Sequence, residues 1–115
     1  MIQNILVICL GNICRSPMAE GLLKQRYPDK DVTSAGLRDI TVGWSADPFA
    51  IRVMKEHGID IGHHRAKLLT ADLLKKAEVL ILLVDFSEFI RLHLVDLVDD
   101  QDFRRYDIVQ QIHYI

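Results

Sequence analysis

Cys9 and Arg15 stand six positions apart in the stretch Cys9-Leu10-Gly11-Asn12-Ile13-Cys14-Arg15-Ser16, and those residue types at that spacing can carry out phosphoryl chemistry. A cysteine attacks as its thiolate, a form favoured at the N-terminus of a helix. The planar guanidinium of an arginine can take two phosphate oxygens at once, a geometry lysine does not reproduce. Gly11 and Asn12 tolerate the left-handed backbone needed where consecutive N–H groups curl around an anion ahead of a helix. Ser16 can direct its hydroxyl at the cysteine sulfur. Cys9 is therefore expected to be the nucleophile, with Leu10, Gly11, Asn12, Ile13, Cys14, Arg15 and Ser16 forming the phosphate cradle and Arg15 stabilising the transferring group.

The flanking elements suit that task. Ile5-Leu6-Val7-Ile8 is a continuous branched apolar run, the pattern of a strand buried on both faces of a parallel sheet. Cys9 is read as the first residue beyond it. Ser16 as N-cap and Pro17 as first helical residue open a helix with Ala19, Leu22, Leu23 and Tyr27 along one side, and Pro28 ends it. Val32-Thr33-Ser34 reads as a second strand. Asp47-Pro48 starts another helix, with Ala50, Val53, Met54 and His57 as its stripe and Gly58 as its stop. Thr70 precedes a helical pattern through Leu73, Leu74 and Ala77. Val79 to Val84, the most apolar run, is expected to be a central strand. Ser87 can cap a helix carrying Phe89, Ile90 and Leu94, and a final amphipathic segment extends from Phe103 to about Ile115.

Alternating strands and helices predict an α/β fold: three layers, α/β/α, around a central parallel sheet, with the phosphate loop between strand 1 and helix 1. If strand 1 lies between the other two, its carboxyl end is a topological switch point, where such sheets bind ligands. The 115 residues, half of them hydrophobic, fit a single domain, 1–115. No run of about eighteen apolar residues is present, and Ile5 to Leu10 is too short and too soon followed by Arg15 for a secretion signal, so a cytoplasmic protein is expected. A net charge of −2 with both signs interspersed offers no field for nucleic acid or an anionic membrane. Cys9 and Cys14, five positions apart with no second ligand pair, do not make a metal site, and His63-His64 reads as loop surface.

Beyond the loop, the chain resembles the low-molecular-weight protein tyrosine phosphatases. CLGNICRSPMAE carries their C-x5-R-S signature; Ser34-Ala35-Gly36-Leu37, Gly43 to Asp47-Pro48, Glu56-His57-Gly58-Ile59 and His64-Arg65-Ala66-Lys67 extend the likeness over most of residues 1 to 94. The first of these stretches and the loop after it are most similar to the bacterial branch that acts on tyrosine autokinases controlling capsule and exopolysaccharide export. The resemblance implies phosphotyrosine proteins, such as a tyrosine autokinase, as partners, with phosphate or another oxyanion as ligand. It also implies a phosphocysteine intermediate on Cys9, no metal or cofactor, a bracing role for Asn12, and Leu37 and Ile40 at the wall of an aromatic pocket; Trp44 can flank the mouth of that pocket, with packing alone as the alternative. Cys14 matches a position that can form a reversible disulfide with the nucleophile; a small buried side chain is the alternative.

The chain departs from the family in one respect. The family supplies its general acid from a late Asp-Pro-aromatic loop, worth about 10² to 10⁴ in rate. Here Asp47-Pro48-Phe49 has that form, yet capping of a helix accounts for it. Asp96, Asp99 and Asp100 lie in the right neighbourhood without the following proline and aromatic residue. Asp102 to Ile108 is similar to the family's last helix, so the fourth strand and acid loop read as shortened between about 95 and 102, through a truly short domain or the loss of an internal segment. A phosphate-binding domain with weak or no turnover is the alternative function. Arsenate reduction would need more cysteines for its relay, and a phosphocysteine carrier domain of a sugar phosphotransferase system would not need Arg15-Ser16.

Overall fold

The computed structural model describes residues 1–83 and 107–110. Strands β1 (Asn4–Cys9), β2 (Asp31–Gly36), β3 (Val79–Leu82) and β4 (Asp107–Gln110) form one sheet in the order β2-β1-β3-β4, and every pairing is parallel. Helices α1 (Arg15–Arg26), α2 (Pro48–Glu56) and α3 (Ala71–Lys76) complete the described elements. Strand β1 lies between β2 and β3, as expected, so chain direction diverges at its carboxyl end.

Period-two alternation divides β1 between two cores. Leu6 and Ile8 join Leu80 and Leu82 of β3 in a cluster with Leu74 and Ala77, on the face covered by α3. Val7 and Cys9 face the other way, with Val32 and Leu83, and Ala19 and Leu23 of α1 pack over them. The expected three layers follow from this division. The Ala50 and Met54 side chains of helix α2 belong to a third cluster, with Ile59, Ile61 and, from α1, Met18. Gly21 permits that approach, since a Cβ there would lie 3.0 Å from Ile59 and 3.1 Å from Ile61.

Several sequence expectations need correction. Cys9 is the last residue of β1, paired with Gly36, rather than the first beyond it. The N-cap of α1 is Cys14, and no side chain caps it; Ser16 lies inside the first turn, buried, with its hydroxyl turned to Cys9. Leu22 and Tyr27 are exposed because the stripe packed on the sheet runs through the partly buried i, i+4 pair Ala19 and Leu23, and Tyr27 is past the helix end. His57 is likewise exposed, at the C-cap of α2. The largest change concerns the C-terminal segment. Asp107–Gln110 is a strand, not part of a helix: the β-branched Ile108-Val109 centre suits the open edge of β3, and the residues pair in register from Val79↔Asp107 to Leu82↔Gln110. A fourth strand is thus present. The expected helix after Ser87, Val84 and the acid candidates Asp96, Asp99 and Asp100 lie outside the described residues. Among the described residues no helix is long and apolar enough to cross a membrane.

The cap read from sequence at Asp47 is in place, and Thr70, expected only to precede a helix, caps one as well. The Thr70 side chain accepts from the Leu73 N–H, and the Asp47 carboxylate accepts from the Phe49 N–H at 2.8 Å with Pro48 at the first helical position. Removing such a cap costs about 1 kcal/mol. Asp47→Ala is therefore expected to lower the free energy of urea unfolding by that amount.

Candidate active site

The segment Leu10 to Cys14 leaves β1 and turns into α1, and each of its carbonyls is held by a donor outside the loop. The Leu10 carbonyl accepts from the N–H groups of Leu37 (2.8 Å) and Arg38 (3.0 Å). The Gly11 carbonyl accepts from the Thr41 hydroxyl at 2.6 Å, and the Asn12 carbonyl is 2.7 Å from Nε2 of His64. The Ile13 carbonyl takes the Asp47 N–H at 2.6 Å, and the Cys14 carbonyl the Met18 N–H at 3.3 Å. In a trans peptide the N–H points opposite to the C=O. Holding five successive carbonyls outward therefore turns five N–H groups to the inner side, where Cys9 ends its strand. The Asn12 N–H shows this directly, donating to the Cys9 sulfur at 3.3 Å. Those of Gly11, Ile13 and Cys14 have no acceptor among the described residues. With the orphan donors of the first turn of α1, they form a concave set of amides suited to an oxyanion.

Asn12 makes the turn and locks it. Its φ of 56° is the left-handed value that the sequence anticipated at this position. The side chain is fully buried, and its orientation follows from one contact: Oδ1 accepts the Lys67 N–H at 3.0 Å. The amide NH₂ must then be the donor to Ser16 Oγ (2.7 Å) and Ser34 Oγ (2.9 Å). With that lone pair engaged, the Ser16 hydroxyl is free to point its proton at Cys9 Sγ, 2.9 Å away. Ser34 in turn donates its hydroxyl hydrogen bond to Glu20 Oε1. One backbone N–H at Lys67 thus sets the direction of every hydrogen bond up to the sulfur, and it leaves the sulfur accepting two, from Ser16 and Asn12, as suits a thiolate.

Glu20 anchors the far end. Burial pushes its carboxyl up, but hydrogen bonds from Lys24 (2.7 Å) and Ser34, then the charges of Lys24 and His64, hold it below the ordinary glutamate range. Partial burial, followed by the charges of Asp47 and Cys9, raises the Cys14 thiol, against an opposing pull from Arg15. Both cysteines are free thiols, Cys9 buried and Cys14 exposed. Arg15 is exposed at the first position of α1, on the same turn as the inward amides.

Of the three pocket residues expected, Leu37 is half-buried and packs against the α3-side core, whereas Ile40 and Trp44 are 71% and 55% exposed on either side of Thr41. His64, read as loop surface, instead supports the cradle, and Ser34, Glu20 and Thr41 were not singled out for any site role. Their signal in the sequence is faint: Glu20, Ser34 and His64 sit within the stretches that resemble the family, whereas Thr41 gains meaning only from three-dimensional proximity. Among the described residues, no three His, Cys, Asp or Glu side chains group as metal ligands.

Comparison with known proteins points to one family. A family model described as low molecular weight phosphotyrosine protein phosphatase matches residues 4–90. A Ralstonia solanacearum protein named probable low molecular weight protein-tyrosine-phosphatase EpsP is 51% identical over 83 residues, 72% of this chain and 57% of the relative. The Escherichia coli K12 phosphatase Wzb is 44% identical over 81 residues, 70% of this chain and 54% of the relative. The chain thus spans little more than half the length of these relatives. Among solved structures, the Erwinia amylovora tyrosine phosphatase AmsI superposes with a TM-score of 0.78 at 36% identity, covering 94% of this chain and 68% of that one. Vibrio vulnificus Wzb in complex with benzylphosphonate gives 0.80 at 28% identity, covering 95% and 73%.

Two outcomes test the framework. A Cβ on Gly36 would lie 3.0 Å from the Gly11 carbonyl carbon and 3.1 Å from the Asn12 nitrogen, both backbone atoms of the cradle. Gly36→Ala is expected to cost about 1–3 kcal/mol of stability and to weaken phosphate binding, read by urea unfolding and by titration. For Glu20, a folded-state pKa below the unfolded value contributes stability that is present above the unfolded value and is lost as pH falls through the folded one. Below about pH 4.3, the ordinary glutamate value, the urea midpoint of Glu20→Gln is expected to fall less steeply with pH than that of the parent. With the strand, loop and helix of the signature in place around Cys9 and the family match running through most of the described residues, the chain belongs to the low molecular weight phosphotyrosine protein phosphatase family.

Proposed function

We propose that the protein hydrolyses phosphotyrosine in proteins through a phosphocysteine intermediate on Cys9. The observation that carries this reading is the sulfur of Cys9, at the end of β1, accepting from the Ser16 hydroxyl and the Asn12 N–H of the loop that follows. The thiolate attacks phosphorus as the phosphorus–oxygen bond to the tyrosine breaks, and the departing phenolate takes a proton. Water then attacks the phosphorus, breaking the sulfur–phosphorus bond, releasing inorganic phosphate and restoring the thiolate. Charge gathers on the equatorial oxygens during both steps, where the amides of Gly11 to Cys14 and the guanidinium of Arg15 meet it. Neither step needs a metal or cofactor. The exposed apolar side chains of Ile40 and Trp44 beside the loop support recognition of an aromatic ester.

The relatives named EpsP, AmsI and Wzb motivate a place in the control of exopolysaccharide or capsule export, with a tyrosine autokinase as phosphorylated partner and the cytoplasm, where thiols stay reduced, as compartment. A second reading is a phosphate-binding domain with weak turnover. It is favoured by Asp47, the single Asp-Pro-aromatic aspartate, being engaged as a helix cap. The proton donor then falls to Asp96, Asp99 or Asp100, or is absent.

Replacing Cys9 by serine is expected to abolish turnover of an aryl phosphate while inorganic phosphate still binds; parent-like hydrolysis by this variant contradicts the mechanism. In the parent, comparison of p-nitrophenyl phosphate with phosphotyrosine separates the two readings, because only the poorer leaving group strongly needs the acid. Turnover of both supports the phosphatase, and turnover confined to p-nitrophenyl phosphate supports the second reading.

A further inference from the structure

We infer that Thr41 is a positioning residue for the nucleophile, acting through the peptide plane that joins Gly11 to Asn12. The proposal rests on the phosphate-cradle reading above and extends it to a residue outside the signature loop.

Among the five outward carbonyls of the loop, three are held by backbone N–H groups alone, and two depend on side chains: Asn12 on His64, and Gly11 on Thr41. The Gly11 carbonyl is the one whose peptide delivers its N–H to the sulfur, since the Asn12 N–H, in the same plane, donates to Cys9 Sγ at 3.3 Å. The Thr41 bond on the opposite edge, at 2.6 Å, therefore aims that donor.

This peptide needs holding more than its neighbours. Rotating the plane changes only ψ of Gly11 and φ of Asn12. Glycine offers little steric resistance to such a turn. Asn12 gains by it, because its φ of 56° would move toward the negative values that L-residues prefer. A rotated plane would present a carbonyl oxygen, instead of an N–H, to the thiolate and to any oxyanion above it. Local preference thus opposes the working geometry at this one peptide. Thr41 is placed to resist it: buried at 8% exposure, with Oγ1 already 3.4 Å from where a Gly11 Cβ would stand.

Thr41 also belongs to the segment that carries Ile40 and Trp44. Its carbonyl accepts the Trp44 N–H at 3.0 Å, and the Trp44 carbonyl accepts the Ala66 N–H at 2.8 Å. The same residue thus ties the wall segment to the cradle floor, so that an aromatic ring seated beside Ile40 and Trp44 keeps a fixed relation to the sulfur.

The test compares parent, Thr41→Val and Thr41→Ser. Valine keeps the volume and removes the donor; serine restores the donor without the methyl. Binding of inorganic phosphate to the full chain is titrated calorimetrically, and exchange of the Asn12 amide hydrogen is followed by NMR in the free protein. Both are read at a temperature where the circular dichroism of all three proteins coincides. Loss of a buried hydrogen bond that leaves its carbonyl unpaired predicts about tenfold weaker phosphate binding and at least about tenfold faster Asn12 exchange in Thr41→Val, with Thr41→Ser near the parent in both. Where turnover is measurable, kcat on p-nitrophenyl phosphate falls along with affinity in Thr41→Val. Parent-like Asn12 exchange in Thr41→Val overturns the inference, as does a Thr41→Ser protein as impaired as Thr41→Val. A parent that does not bind phosphate overturns the cradle reading instead, and the Asn12 exchange still decides the role of Thr41 in holding the peptide.

Discussion

The outward anchoring of the carbonyls from Leu10 to Cys14 is the constraint on which the rest of the molecule depends. A free loop of this composition would have no reason to turn its amides to one side, because peptide planes rotate readily around glycine and asparagine resists a left-handed turn less than other residues, without favouring it. The donors that hold it come from well-separated parts of the chain: Leu37 and Arg38 after β2, Thr41 in the following segment, Asp47 at the start of α2, and His64 beyond it. Each must arrive for the cradle to exist, so the site reports on the integrity of the whole fold. Two of those donors, the backbone N–H groups of Leu37 and Arg38, share one acceptor, which secures the loop where it leaves the sheet.

The sheet order explains how such distant segments converge. With β1 between β2 and β3, the chain departs in opposite directions from the carboxyl end of β1, and the loops after β1 and β2 meet above it. Gly36 closes that end: its N–H donates to the Lys67 carbonyl, its carbonyl accepts from Leu69, and its missing Cβ leaves space for Gly11 and Asn12. From the same strand, Ser34 reaches the buried amide of Asn12. The arrangement around the sulfur therefore depends on close packing at the end of β2 as well as on the loop itself.

What could be read directly from the amino-acid order was what is local in it. The run Ile5 to Ile8, the Gly11-Asn12 turn, the Cys9 to Arg15 spacing and the Asp47-Pro48 helix start are each encoded within a few residues, and each has its expected place, with Cys9 one residue earlier relative to the strand end. A serine before proline is such a common helix start that Ser16 reads as an N-cap; its partners in the structure, Cys9 and Asn12, lie within the loop's fold rather than along the helix. His64, Thr41, Ser34 and Glu20 were not assigned their roles because a residue that holds a backbone carbonyl or passes a hydrogen bond needs only a donor, a requirement many side chains meet and no spacing reveals. The Phe103 to Ile115 segment misled for a different reason. Its apolar spacing is compatible with a helix, and only the open edge of β3 decides that Asp107–Gln110 becomes a strand.

In the proposed reaction the thiolate of Cys9 takes the phosphoryl group. The most direct measurement is rapid acid quenching of the full chain during its reaction with an aryl phosphate, followed by mass analysis of the Cys9-containing peptide. One phosphoryl group is expected on Cys9 and none on Cys14 or Ser16. Turnover without any phosphorylated Cys9 under conditions where the second step is slowed, or the group found on another residue, would contradict it.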